Sequence, residues 1–284
     1  MIEKMERETG LEPATSSLGS WHSTTELLPL GRCSNHSKSR YCHKTRFEAK
    51  TETRRFQPRN LDSADLKPVT SIAPGELVSL FGKFSSGSPA TPAPGQVSTS
   101  LDGATIGVNG VASPLLYVGG EQINFQAPFG IAGAAQANIN FASALSNLSD
   151  SLTLPIVVSN PAAFLNTGTP SAALATCNME SSATLNALLP LAFNADGSVN
   201  TCLNPAPAGS IVTFFLNGLG VSSAPVVTGT GVTVVSVSAM PDGISGAWQV
   251  NALIPANGSP GGNQMSFTAS GVPVRDGLLV VWVN

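Results

Sequence analysis

Along most of this chain apolar and polar residues alternate at every second position, the period of a β-strand with one buried face. The clearest stretch is Gln122-Ile-Asn-Phe-Gln-Ala-Pro128, and it returns as Gln249-Val-Asn-Ala-Leu-Ile-Pro255. Around the first copy, Pro74-Gly75 predicts a turn into a strand carrying Leu77, Val78, Leu80 and Phe81. Val97 to Val108 alternates weakly, and Asn109-Gly110 is a type I′ hairpin signal leading into Val111–Val118. Gly119-Gly120 turns that strand into the Gln122 stretch. Ala135 to Phe141 places Ala137, Ile139 and Phe141 on one face, and Ser151 to Val158 closes the set.

Beyond Asn160-Pro161 the pattern starts again. Residues 172–189 read as a short helix or a long loop, and Leu191 to Asn200 as a hairpin turning at Asp196-Gly197. Pro207 to Gly220 repeats the earlier turn and strand, and strands follow at Val232–Val237, Trp248–Pro255, Gln264–Ala269 and Gly277–Val283. The turn glycines Gly75 and Gly209 are 134 residues apart, and Gln122 and Gln249 are 127 apart. Similar offsets in the same order mean a duplicated unit of one sandwich domain's size. The expected fold class is all-β: two tandem immunoglobulin-like β-sandwich domains, residues 66–160 and 161–284, after a disordered or mispredicted N-terminal segment, residues 1–65.

That segment keeps neither period and lacks the apolar run of a secretory signal. Its stretch Thr9-Gly-Leu-Glu-Pro-Ala-Thr-Ser-Ser-Leu-Gly-Ser-Trp-His22 resembles a segment that recurs in dubious gene models, which implies that the natural start lies elsewhere. Cys33, His36, Cys42 and His43 fall within it, but the cysteine pair is too widely spaced for a usual zinc site and no second pair follows, so no metal is expected.

Charge separates the two kinds of sequence. Residues 1–67 hold 12 of the 14 Lys and Arg and 9 of the 17 Asp and Glu. The remainder is acidic, which excludes phosphate-backbone binding as its main business, so nucleic acid is not an expected partner. No apolar run is long enough for a membrane-spanning helix.

Several motifs in order carry a family resemblance: Ile72-Ala-Pro-Gly-Glu-Leu-Val-Ser-Leu-Phe-Gly82, Pro114-Leu-Leu-Tyr-Val118, Gln122–Pro128, Asn194-Ala-Asp-Gly-Ser-Val-Asn200, Asn204-Pro-Ala-Pro-Ala-Gly209 and Asn217-Gly-Leu-Gly220. Together they resemble the Solibacter-type uncharacterised C-terminal domain of large secreted acidobacterial proteins, over roughly residues 66–284. The resemblance implies tandem immunoglobulin-like domains, an extracellular or cell-surface setting and no catalytic residues. The chain departs from the pattern at Lys83-Phe84, where a second Asn-Gly-Leu-Gly-like turn is expected.

Residues 68–284 contain no histidine, which removes Ser-His-Asp and Cys-His catalysis from the body. Glu76 and Asp102 could meet as an acid–base pair, but Asp102-Gly103, Asp196-Gly197, Asp242-Gly243 and Asp276-Gly277 read better as turns. Asn194 to Asn200 has some spacing of a calcium loop but lacks its late glutamate, so a hairpin turn is the default and no cofactor is expected. In an oxidising compartment Cys177 and Cys202 are candidates for a disulfide. Trp248 and Trp282 either pack in a core or offer ring faces to a sugar. Gln122, Asn124, Gln249 and Asn251 either bind sugar hydroxyls on a polar sheet face or form a solvated outer face. The expectation is a non-catalytic structural or adhesive C-terminal module, with a cell-surface protein or extracellular polysaccharide as partner. A carbohydrate-binding module is the alternative, and a cryptic glycoside hydrolase, needing carboxylates clustered in a cleft, comes third.

Overall fold

The computed structural model describes residues 59–284 apart from 66, 83, 85–88, 94, 145–147, 167–188, 241–244 and 276–277. The described chain is all-β, its named strands pair antiparallel, and one short 3₁₀ turn lies at Phe129–Ile131. The expected helix or loop over 172–189 falls almost entirely outside these residues.

The first half contributes β1 (Arg59–Asp62), β2 (Leu77–Phe81), β3 (Ser100–Leu101), β4 (Ala104–Val108), β5 (Val111–Ala112), β6 (Leu115–Val118), β7 (Gln122–Gln126), β8 (Gln136–Ser143) and β9 (Leu148–Pro155). One sheet runs β1-β2-β7-β6 and the other β3-β4-β8-β9, with β5 beside β4. Alternation decides which side chains go inward. Val78, Leu80, Ile123 and Phe125 of the first sheet meet Ile106, Val108, Ile139 and Phe141 of the second in one core. Phe84, beside the departure at Lys83, is buried there edge-on to Phe141 at 4.9 Å. The Asn109-Gly110 turn forms as expected, with both residues at positive φ (52° and 80°) between paired Val108 and Val111.

The second half contributes β10 (Ala162–Ala163), β11 (Ala192–Phe193), β12 (Ile211–Asn217), β13 (Val227–Thr230), β14 (Thr233–Ala239), β15 (Trp248–Leu253), β16 (Gly261–Ala269), β17 (Val272–Pro273) and β18 (Leu279–Val283). Its sheets run β10-β12-β15-β14, with β11 beside β12, and β13-β16-β18, with β17 beside β16. Val212, Phe214, Trp248 and Val250 close on Met265, Phe267, Leu279 and Val281.

The sequence repeat is a repeat of register. Ser79 lies opposite Asn124 as Thr213 lies opposite Asn251. The edge strand bulges between Leu115 and Tyr117 in one half and between Val234 and Ser236 in the other, against the same positions of β7 and β15. Ile72 forms a parallel bridge to Ile156, as Ala206 does to Val283. Gly75 and Gly209 both take positive φ, 79° and 76°, at the turn.

One boundary requires correction. The segment expected to lack structure through residue 65 includes β1, and Asp62, Ala64 and Asp65 are buried. Arg-Asn-Leu-Asp shows no apolar alternation, because this strand is held by polar contacts rather than by an apolar face.

Candidate functional site

The two halves meet along the outer faces of the β1-β2-β7-β6 and β10-β12-β15-β14 sheets. On β2 the residues of alternate parity to the core, Leu77 and Ser79, are buried as well. Leu77 and Ala64 pack with Ala162, Phe164, Leu191, Phe215, Met240 and Ala247 in a third apolar cluster, flanked by Leu116 and Phe193. Phe193 and Phe215 stack edge-on at 5.8 Å.

Asn217 ends β12 and reaches into the first half. Its side-chain carbonyl accepts from the Leu77 N–H at 2.9 Å, and its amide donates to the Leu77 C=O at 2.9 Å and to Asp62 Oδ1 at 3.1 Å. A side-chain amide thus stands in for a neighbouring strand. Asn109 does the same for Gln136 and Asn138, and Asn200 for Trp282.

The residues after Asn217 admit the linker. A Cβ on Gly218 would lie 2.2 Å from the Asn160 carbonyl oxygen, and one on Gly220 2.2 Å from that of Val158. Both glycines sit at positive φ, and Leu219 between them is buried. Asn160 returns a bond from its N–H to the Gly218 carbonyl at 2.8 Å. Asn217-Gly-Leu-Gly220 is therefore a clasp between halves. Lys83-Phe84 occupies the matching place in the first half, where the chain instead turns Phe84 into the core.

Beside the clasp lie Asp62, Asp65 and Glu76, all buried, with Arg275 reaching in from the loop after β17. The Arg275 guanidinium donates to Asp62 and approaches Asp65 at 3.6 Å and Glu76 at 4.0 Å. Glu76 also accepts from the Ala73 N–H at 2.6 Å and from the Asn160 amide at 3.0 Å. One cation among three carboxyls leaves an excess of negative charge in a dry place. Burial pushes Glu76 well above the ordinary glutamate value, and the adjacent Asp62, by charge and hydrogen bond, pushes it further. Burial also raises Asp62, against the opposing pull of Arg275. Glu76 therefore keeps its proton to higher pH than a free glutamate does.

The other expected residues are placed as follows. Glu76 belongs to this joint, and Asp102 sits in the β3–β4 turn, so the expected turn reading of Asp102-Gly103 describes its place. Trp248 is 8% exposed and packs in the second core, so of its two expected roles the core holds and its candidacy as a ligand contact is corrected: the ring offers no face to a sugar. Trp282 is half-buried. Gln122, Asn124, Gln249 and Asn251 lie half-buried on outer sheet faces, and in each pair the Gln amide donates to the Asn carbonyl, at 2.8 and 3.2 Å. Asn251 also accepts from Thr213 and donates to Ser236. Gln122 and Gln249 each spend a donor on their own neighbour.

In the Asn194–Asn200 turn, the side chains bond one another and the backbone. Asp196 accepts from the Ser198 N–H, Asn194 donates to the Asn204 carbonyl, and Asn200 donates to Asn194. The Ser198 bonds hold the exposed Asp196 carboxyl below its usual range. Cys202 is engaged in a disulfide, and Cys177 lies outside the described residues. Among the described residues no group of three or more His, Cys, Asp or Glu is arranged to hold a metal ion, and no helix is long and apolar enough to cross a membrane. Two hollows, one beneath Phe84 and Phe141 and one beside Trp282, hold about 10 Å³ each, the space of a single water.

No family model matches the chain, and no curated protein matches it. A solved endo-fucoidan hydrolase from glycoside hydrolase family 107 aligns over 77% of this chain and 35% of its own, at 13% identity and a TM-score of 0.22. The chain therefore spans about a third of that protein's length, and a likeness this weak carries no argument about fold or activity.

Proposed function

We propose that the chain is a non-catalytic structural or adhesive module of a secreted or cell-surface bacterial protein, built from two immunoglobulin-like sandwiches that act as one stiff unit. The joint carries this reading: apolar packing, the Asn217 clasp and the Arg275 cluster all hold one half against the other. The immunoglobulin type is supported by strand order. With β1, β2, β4, β6, β7, β8 and β9 lettered A to G, the sheets read A-B-E-D and C-F-G, and β10, β12, β13, β14, β15, β16 and β18 give the same letters again. The disulfide at Cys202 favours an oxidising compartment outside the cytoplasm.

A module whose task is to hold a distance should unfold as one body. Urea unfolding of the full chain, followed by tryptophan fluorescence and far-ultraviolet circular dichroism, is expected to give one coincident transition. Two separated transitions would reject the stiff unit. Incubation with a panel of insoluble polysaccharides tests the rest. Release of reducing ends would overturn the non-catalytic reading. Retention that Gln249→Ala with Asn251→Ala abolishes would favour carbohydrate binding instead.

A further inference from the structure

The repeat presents the same edge strand twice. In the first half that edge, β6, is covered by the chain's own extended backbone. Val118 exchanges hydrogen bonds with Ala90 at 2.8 and 2.9 Å, and the Leu115 N–H donates to Ser98 at 2.7 Å. Through the shared bulge, Leu115 and Val118 correspond to Val234 and Val237 of β14. Nothing equivalent covers β14: among the described residues its only strand partner is β15. This edge is also longer, seven residues against four. Its sequence, Thr-Val-Val-Ser-Val-Ser-Ala, contains no charge and no proline, the two residue classes that usually guard an edge. By contrast, β9, an edge of the first half, carries Asp150 and Pro155. Val235, in the bulge, is 55% exposed, whereas its counterpart Leu116 packs into the joint. The bulge itself is no obstacle, since β6 carries the same one and is covered on both sides of it.

We infer that β14 pairs edge to edge with β14 of a second copy of this chain, antiparallel across a two-fold axis. What covers the counterpart edge is extended antiparallel backbone. A strand of Thr, Val, Ser and Ala can meet itself in that direction without opposing charges or an unpaired proline. The pairing would join two five-stranded sheets into one continuous sheet and cover Val235. It goes beyond the structural reading above, because a stiff unit needs no partner copy.

Sedimentation equilibrium of the full chain over a concentration series tests it. The expected result is a reversible species of twice the chain mass. Val235→Lys with Ser238→Lys, both at exposed positions, is expected to weaken association about tenfold or more while leaving the urea midpoint unchanged. Ser151→Lys on the guarded edge β9 is expected to leave association unaltered. A wild-type chain that stays monomeric throughout, or a dimer indifferent to both β14 lysines, would overturn the inference. Circular dichroism of each variant confirms that a lost dimer is not a lost fold.

Discussion

The two halves share strand order, bulge, turn glycine and Gln-Asn pair, yet equivalent positions have opposite fates. Leu77 is 4% exposed and Ile211, its counterpart on β12, is 40% exposed; Gln126 is 8% exposed and Leu253 is 38%. Burial here is not a property of the residue or of its place in the strand. It is set by which stretch of the outer face meets the other half: the start of β2, at Leu77 and Ser79, but the end of β12, at Phe215 and Asn217.

The sharpest way to break this asymmetry is to remove the cation. Arg275→Ala leaves Asp62 and Asp65 buried without their charge partner and is expected to cost about 3 kcal/mol, at the low end for a buried pair because the Arg275 side chain is 24% exposed. A lower urea midpoint, with the two halves beginning to unfold separately, is the expected readout. Next comes the matched pair Leu77→Ala and Ile211→Ala. The first is expected to cost about 3 kcal/mol and the second less than about 1 kcal/mol; equal losses would reject the account of the joint.

A second matched pair isolates the clasp. Gly110→Ala meets open space and only the strain of its positive φ, about 1 kcal/mol. Gly220→Ala adds a collision with the Val158 carbonyl and is expected to cost about 2 kcal/mol or more, measured the same way.

The smallest effect is on pH dependence. Asp62 and Glu76 keep their protons to higher pH in the fold than in the unfolded chain, where the ordinary values are 3.8 and 4.5. Folding then takes up protons. Stability from this pair is fullest below those values and falls as pH rises, until both groups ionise in the fold. Glu76→Gln is expected to flatten that fall in urea titrations run from acid to neutral pH. An unchanged slope would reject a raised Glu76 as the source of that fall.

Strands were legible where one face is apolar. The Gln122 and Gln249 stretches, the Ala137-Ile139-Phe141 face and the Asn109-Gly110 turn could all be read from period and turn chemistry alone. β1 could not, because Asp62 is buried by a guanidinium and an amide some 155 to 213 residues away in sequence. The joint was hidden for the same reason: Asn217 and Gly220 formed a visible motif, but nothing local says that a linker crosses there. Trp248 is the converse case, a residue with attractive chemistry that its strand parity assigns to the core. Alternation from Val250 and Ala252 back to Trp248 was the available signal.

The clasp also gives the two halves of this chain a kind of syntax. In this chain Asn217-Gly-Leu-Gly220 follows the strand of the half that receives the linker, and the matching place in the half that precedes it reads Gly82-Lys83-Phe84. In a longer chain, the places where the clasp recurs would mark which neighbours are bound as couples and which are merely adjacent. Recombination that cuts between a precursor and its clasp would yield two halves with mismatched faces, whereas cuts between couples would exchange intact pieces.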